Sequence, residues 1–307
     1  MSMLIKSNIK MAFVSIRDRH WRSFLTILGI IIGISSVVTI VSIGEGIKQQ
    51  IFGQINHLGA NLITVRSGDI NTSGSVSGAL GSLYLFGSPS GGSSSLTTND
   101  FSLIRNTNGI QSATVMSVVP GKITVSGGQA KNSLVLGSST SAPQVLHQSL
   151  QYGSFFDSDS QYQNVVVLGQ NVVSQLFPGQ VPLGYSITIA GQQFIVRGVF
   201  NKFDTSPLSL DTDLNNVAFI PYPVAQGLEN QKAPIYEILA KPKASAAVGS
   251  VVSSISRALG KSHNGAHDFS VLKQSDNLKI AGNILNLLTG LIAIIAAISL
   301  LVAGIGT

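Results

Sequence analysis

Residues 23–44, SFLTILGIIIGISSVVTIVSIG, form an uninterrupted stretch without a charged side chain. As a helix this stretch is about 33 Å long, enough to cross a hydrocarbon core of about 30 Å. It is also longer than the roughly 7–15 apolar residues at the centre of a signal peptide, which favours a retained span. Residues 281–307 form a second uncharged stretch. The sequence predicts two transmembrane helices, at 23–44 and 280–307.

The overall composition agrees with a membrane protein. Charged residues make up 10% of the chain, against about 25% in soluble domains, and the mean hydropathy is +0.36. The chain has no cysteine, which excludes a disulfide-stapled domain, a thiolate metal centre and a cysteine nucleophile.

The charges flanking the first span predict the orientation. Residues 1–22 carry five basic residues and one acidic residue. Because positive segments stay in the cytoplasm, the N-terminus is predicted inside the cell membrane and residues 45–279 outside it. The basic excess is thus a topology signal, and nucleic acid is not an expected partner. Apolar positions on one helical face further predict an amphipathic segment at 1–22 that contacts membrane lipid; the alternative is a plain charged flank.

The segment after the first span predicts a stalk. Apolar residues recur there every three or four positions, at Ile43, Ile47, Ile51, Ile55 and Leu58. This spacing indicates an amphipathic helix over 45–58 that continues the span outwards. Residues 67–95 are mainly Gly and Ser and predict a mobile loop.

The rest of the extracytoplasmic region alternates between strand and helix patterns. Thr97 followed three residues later by Asp100 predicts a helix N-terminus. Strand–helix–strand patterns over 61–119 and again over 235–273 predict a split ferredoxin-like subdomain, built from about 59–139 and 226–275. The helix of the second pattern is predicted at Ala244–Leu259. Residues 140–225 predict a mostly β insertion, in which Tyr185–Ile189 and Gln193–Phe200 form a hairpin joined by Ala190-Gly191-Gln192. The predicted fold class is therefore an α+β membrane protein with two transmembrane helices flanking a large extracytoplasmic domain.

Motifs for enzymatic chemistry are weak. The stretch LGKS at 259–262 lacks the glycine of a phosphate-binding loop, since Ile255 occupies that position. Asp211 and Asp213 resemble half of a calcium loop but are better interpreted as a polar turn. His263 and His267 are interpreted as part of a solvated loop, although a weak metal site is an alternative. We therefore expect a non-catalytic chain without a metal or cofactor.

Small residues recur within both predicted spans. Gly29 and Gly33 form a Gly-x-x-x-Gly face, and Ala293 and Ala297 repeat this spacing. Such faces allow close helix–helix packing. Ordinary membrane composition is the alternative, because glycine is common in such helices.

Several stretches together resemble MacB/FtsX-type ABC transporter permeases. They are RSFLTILGIIIGI at 22–34, VSIGEGIKQQI at 41–51, LGANLITV at 58–65, NVVVLG at 164–169, GQQFIVRGV at 191–199 and IIAAISLLVAGIG at 294–306. The resemblance covers nearly the whole chain.

The resemblance implies a fold and a task. Members of this family have four spans per subunit and an extracytoplasmic domain with porter and sabre subdomains. They work as homodimers, or pair with another permease, and are driven by an ABC ATPase subunit. A periplasmic adaptor protein is a further expected partner. In this type VII class, ATP hydrolysis moves the external domains by mechanotransmission, and the stalk at 45–58 fits such a lever. The chain ends at Thr307, so the last two spans of the family pattern are expected to be missing.

A second hypothesis from another class stays open. Two spans around a large external domain also fit a membrane-anchored sensor or ligand-binding module. The substrate is not readable from any motif.

Overall fold

A computed structural model describes residues 62–68, 94–125, 128–204, 213–228, 233–266 and 268–305, with isolated positions between 24 and 46. The chain divides into two compact units, Met1–Gln49 with Gly282–Thr307, and Gln50–Ala281. Several predictions lie outside the described residues: the segment 1–22, Gly29, the five stalk residues from Ile43 to Leu58, most of the loop 67–95, Asp211 and His267.

The described elements of the chain alternate between strands and helices. The strands are β1 (Ile63–Ser67), β2 (Ile110–Val119), β3 (Ile123–Val125), β4 (Gly128–Gln129), β5 (Leu134–Ser138), β6 (Leu150–Gly153), β7 (Val165–Leu168), β8 (Ser186–Ile189), β9 (Gln192–Phe200), β10 (Val217–Pro221), β11 (Ile235–Pro242) and β12 (Phe269–Lys273). The helices are α1 (Thr98–Arg105), α2 (Ala142–Val145), α3 (Gln170–Leu176), α4 (Tyr222–Leu228), α5 (Val248–Ser262) and α6 (Gln274–Ile305), and a 3-10 turn covers Leu214–Asn216.

All described strands join one mixed sheet in the order β12-β1-β11-β2-β5-β10-β7-β9-β8-β3-β4, with β6 paired to β9. The first four strands of this order are antiparallel neighbours. They come from two strand–helix–strand units, β1-α1-β2 and β11-α5-β12. The strands of the two units interleave in the sheet, which is the split β-α-β arrangement. The mixed α/β character expected from the sequence is confirmed.

Helices α1 and α5 cover one face of these four strands. Val251, Ile255 and Leu259 are spaced four residues apart on α5 and are buried against the sheet together with Ile104 of α1. Helix α5 begins at Val248 rather than at the predicted residue 244, because residues 244–247 form a turn in which the Ala246 amide donates to the Lys243 carbonyl.

Local signals in the sequence explain two of these elements. The Thr97 hydroxyl accepts from the Asp100 amide at 3.3 Å, and the Asp100 carboxylate accepts from the Thr97 amide at 2.8 Å. This capping box confirms the predicted start of α1. The predicted hairpin of β8 and β9 is also confirmed; its two-residue turn has positive φ at Ala190 and Gly191, as type I′ turns require.

Strand β2 belongs to both halves of the sheet. Its residues from Ile110 to Ser117 pair with β11, and those from Met116 to Val119 pair with β5. Beyond β5 an aromatic core forms around Phe200, whose ring centroid lies 5.1 Å from that of Phe219 and 5.2 Å from that of Phe203. The two halves therefore share one strand, and the core around Phe200 also includes Leu62 and Leu239 of the first half.

Helix α6 begins at Gln274, ahead of the span predicted from residue 280, and the Lys273 amide donates to the Asp276 carboxylate at 3.3 Å. Within the part of the chain that the structure describes, no helix reaches the combination of length and hydropathy that a membrane span requires. The spans at 23–44 and 280–307 stay predictions.

Close packing of α4 on β5 requires glycine at position 137. A Cβ atom on Gly137 would lie 2.5 Å from the Cβ of Ala225. Gly137→Ala is therefore expected to destabilise the fold by about 1–3 kcal/mol through overpacking. Gly260→Ala is the matched control, because a Cβ there meets nothing within 4 Å and helix propensity improves. Chemical denaturation of the two variants measures the difference; equal stability would contradict the packing described.

Candidate functional site at the paired first and last strands

The first and last strands of the unit Gln50–Ala281 are neighbours among the described strands. In the antiparallel pair of β1 and β12, Ile63 lies opposite Lys273. Ile63 begins β1 and follows the residues predicted to form the stalk, and Lys273 ends β12 immediately before α6. The two connections to the predicted spans therefore join the sheet at one point. A displacement of either connection acts first on the same two strands.

Strand β1 is anchored more firmly than an edge strand. It lies between β11 and β12, and its apolar residues Ile63 and Val65 are fully buried in the core under α1 and α5. Because interiors are close-packed, a force on β1 cannot be absorbed by local rearrangement at low cost.

A buried ion pair joins β1 to β11. Arg66 Nε and Nη2 each lie 2.9 Å from Glu237 Oε2, and the Arg66 side chain is 5% exposed. The guanidinium also lies 5.1 Å from the centre of the Tyr236 ring. Burying two charges costs solvation free energy that only good geometry offsets. Removing one partner therefore destabilises the fold much more than replacing both partners by apolar residues does. The pair thus fixes the alignment of the two strands.

His263 joins three elements at the opposite end of the β1–β12 pair. It caps the C-terminus of α5, and its side chain is 8% exposed. Nδ1 lies 2.7 Å from Asp268 Oδ1, just before β12, and Nε2 lies 3.2 Å from Asp100 Oδ2, in the first turn of α1. The ring packs edge-on against Phe269 at 5.1 Å.

The two carboxylates set the charge of this cluster. Burial of His263 disfavours the imidazolium, but the hydrogen bonds and charges of Asp268 and Asp100 outweigh it and raise the histidine pKa above 6.5. Burial likewise opposes ionisation of Asp100, yet hydrogen bonds from Thr97, Ser262 and His263 lower its pKa below 3.8. The two carboxylates therefore favour the protonated imidazolium more than water does.

The interpretation of His263 as part of a solvated loop was wrong. The ring is buried because α5 ends directly above the N-terminus of α1, which brings together residues far apart in the chain. No local spacing signals this contact. Among the described residues no group of three His, Cys, Asp or Glu side chains could hold a metal ion. Asp213 instead accepts from the Asn215 amide at 3.0 Å and caps the 3-10 turn, as predicted for a polar turn.

The residues predicted for helix packing fall in the first unit. Gly33 is helical and buried, whereas Ala293 and Ala297 are helical and exposed in the single chain. Their packing roles stay predictions, as do those of Gly29 and the stalk residues outside the described part.

These features define a mixed α/β domain whose two chain connections lie on neighbouring strands. Residues 23–258 match the family model of the MacB-like periplasmic core domain, and the chain belongs to this family.

Curated relatives agree with this assignment. The macrolide export ATP-binding/permease protein MacB of Rhodospirillum rubrum is 29% identical over 301 residues, which cover 97% of this chain and 44% of that protein. The pyoverdine export ATP-binding/permease protein PvdT of Pseudomonas aeruginosa is 31% identical, over 94% of this chain and 41% of that protein. The chain thus spans less than half the length of these relatives.

Solved structures share the fold. The periplasmic region of MacB from Actinobacillus actinomycetemcomitans matches with a TM-score of 0.58 at 20% identity, covering 73% of this chain and 94% of that chain. The extracellular domain of the noncanonic ABC-type transporter YknZ from Gram-positive bacteria matches with a TM-score of 0.51 at 15% identity. The match covers 69% of this chain and 100% of that chain.

The His263 cluster predicts a pH-dependent stability. Because the folded pKa of His263 is raised, its stabilisation is fully present below about pH 6.5 and is lost as the pH rises through the raised value. His263→Gln is expected to cost about 1.5–3 kcal/mol at pH 6, the range for hydrogen bonds to charged groups, and less at pH 9. Urea denaturation between pH 6 and 9 measures how the free energy of unfolding of the wild type and of the variant changes with pH. Asp268→Asn removes one of the two carboxylates and is expected to lose only part of this stabilisation. If the free energy of unfolding of His263→Gln changed with pH as it does in the wild type, this assignment would be contradicted.

Proposed function

We propose that the chain is the permease part of an ATP-driven, MacB-like type VII ABC transporter that acts by mechanotransmission in export or extracytoplasmic substrate handling. The observation that carries this proposal is the pairing of β1 with β12, which brings the connections to both predicted spans together on adjacent strands. Membership of the MacB-like family supports the same conclusion.

In this proposal the chain transmits motion and does not catalyse a reaction. A separate ABC ATPase subunit hydrolyses ATP in the cytoplasm and moves the spans. The stalk over 45–58 then acts as a lever on β1, while α6 acts on β12. The close-packed sheet moves as a body, with the porter part at about 59–139 and 226–275 and the sabre part at about 140–225. The chain needs no cofactor for this task.

Exposed apolar side chains support the membrane placement. They recur every three or four residues over 27–41 and again over 288–298: Ile27, Ile31, Ile34, Val38, Val41, Leu288, Leu291, Ile294 and Ile298. Large apolar residues on a helix surface at this spacing fit contact with lipid. We therefore infer spans at 23–44 and 280–307, with the N-terminus in the cytoplasm and residues 45–279 outside.

The partners follow from the same proposal. Besides the ATPase, we expect a second permease, in a homodimer or a mixed pair, that packs through Gly29, Gly33, Ala293 and Ala297. A periplasmic adaptor protein is a further expected partner. The named relatives export macrolides or pyoverdine, and a transported or extracted substrate is proposed here without a chemical identity.

The membrane topology can be tested cleanly because the chain has no cysteine. Tyr162, on the surface of the extracytoplasmic unit, is 74% exposed. In intact cells, Tyr162→Cys is expected to react with a membrane-impermeant maleimide, whereas Ser7→Cys reacts only after the cells are permeabilised. Labelling of Ser7→Cys alone in intact cells would reverse the proposed orientation.

The lever mechanism predicts that a flexible insertion uncouples hydrolysis from transport. Four glycines inserted between Lys273 and Gln274 separate β12 from α6. In the assembled transporter we expect ATP hydrolysis to persist and export to fall at least tenfold, because a flexible linker does not transmit force. The same insertion between Ala190 and Gly191, in the β8–β9 turn, is the control. Full export with the insertion after Lys273 would exclude mechanotransmission through this junction.

A further inference from the structure

A cavity of about 450 Å³ opens where the parallel strands β5 and β10 end. Ser138 and Pro221, the last residues of these strands, lie opposite each other in the sheet. Helices α1, α2 and α4 contribute the remaining walls, with Arg105, Gln144 and Tyr222 among the lining residues. Ligands in α/β proteins commonly bind beyond the carboxyl ends of parallel strands. The volume is also within the usual range for small-molecule sites, about 300–1,000 Å³.

Ser138 is the unusual residue of this cavity. Its side chain is 1% exposed, and its Oγ has no hydrogen-bond partner among the residues that the structure describes. Along β5 it shares a face with Leu136, which packs in the same core as Phe156, another residue of the cavity wall. The hydroxyl therefore lies on the side of the strand from which Phe156 lines the cavity.

Other buried or half-buried hydroxyls nearby do have partners. Ser117 Oγ donates to the Pro234 carbonyl at 2.8 Å, and Ser141 Oγ donates to the Ala113 carbonyl at 2.6 Å. Ser139 Oγ accepts from the Val115 amide at 3.4 Å. A buried hydroxyl without a partner costs free energy, so Ser138 destabilises the unliganded fold. A ligand acceptor in the cavity would recover that cost.

The charge of the cavity wall has one sign. Among the residues that the structure describes, Arg105 is the single lining residue with a permanent charge, and no carboxylate lines the cavity. A neighbouring cavity of about 560 Å³ shares Gln111 and Gln144 with it and adds Lys241 and His147, again without a carboxylate. Clefts lined by one sign of charge concentrate ligands of the opposite sign, and guanidinium groups bind carboxylates in a matching planar geometry.

The uncharged lining residues further narrow the choice of ligand chemistry. Carboxamides at Asn106, Gln111, Gln144 and Gln161 offer both donors and acceptors, which suit amide or hydroxyl groups. Phe101, Phe156 and Tyr222 provide apolar surface for a hydrocarbon or ring portion. We propose that this cavity binds a small organic carboxylate that also carries amide or hydroxyl groups, with its carboxylate on Arg105 and, once the closed-off Ser138 side chain rotates about χ1, an acceptor on its hydroxyl. This site does not depend on the transport proposal.

Two serine variants separate a ligand-binding role from a structural one. Ser117 and Ser138 lie on the neighbouring strands β2 and β5 and are equally buried, but only Ser117 has a partner. In the full chain in lipid nanodiscs, Ser117→Ala is expected to lower Tm, because it removes the hydrogen bond from the buried Ser117 hydroxyl to the Pro234 carbonyl. Ser138→Ala is expected to keep or raise Tm, because it removes an unpaired hydroxyl.

Binding is then measured by calorimetry with a panel of N-acetyl amino acids, each compared with its own C-terminal amide. At least one carboxylate is expected to bind at least tenfold more tightly than its amide. Arg105→Gln should abolish this preference, and Ser138→Ala should weaken binding about fivefold while Tm is maintained. The proposal is overturned if no carboxylate of the panel binds, or if Ser138→Ala lowers Tm as much as Ser117→Ala does.

Discussion

The antiparallel pairing of β1 with β12 is the constraint on which the rest of the architecture depends. It requires the chain to leave the sheet beside the point where it began, after more than two hundred residues of intervening fold. The β1–β12 pair, called the root below, thus holds both ends of the intervening fold. Arg66 with Glu237 on one side of β1, and His263 with Asp268 at the start of β12, hold that root through charged contacts rather than through apolar packing alone.

The two titratable partners of the Asp100–His263 contact respond differently to pH. Burial raises the cost of every charge at the root, so each charge persists only because of its partner. The pKa of Asp100 is lowered, so its contribution is lost only as the pH falls through that value, below 3.8. The pKa of His263 is raised, so its contribution is lost on the alkaline side, above 6.5. Between these limits the root carries its full set of contacts.

Local patterns predicted the parts of the fold that local forces determine. Thr97 and Asp100 act within one turn, the apolar residues of α5 repeat every four positions, and the turn at Ala190 and Gly191 joins adjacent strands. The resemblance of short stretches to one permease family was sufficient for the family assignment. In contrast, Arg66 and Glu237 are 171 residues apart in sequence, and neither residue type nor spacing indicates such a pair. The Ser138 cavity was missed for the same reason, because its walls come from distant segments.

The sharing of β2 between the two halves of the sheet has a mechanical consequence. Residues Met116 and Ser117 pair on one edge with β11 and on the other with β5, so no flexible joint separates the part near the root from the part beyond it. In the proposed mechanism such a domain turns as one rigid body. A small rotation at the β1–β12 pair then produces a larger displacement of residues far from it. The size of that displacement grows with their distance from the pair.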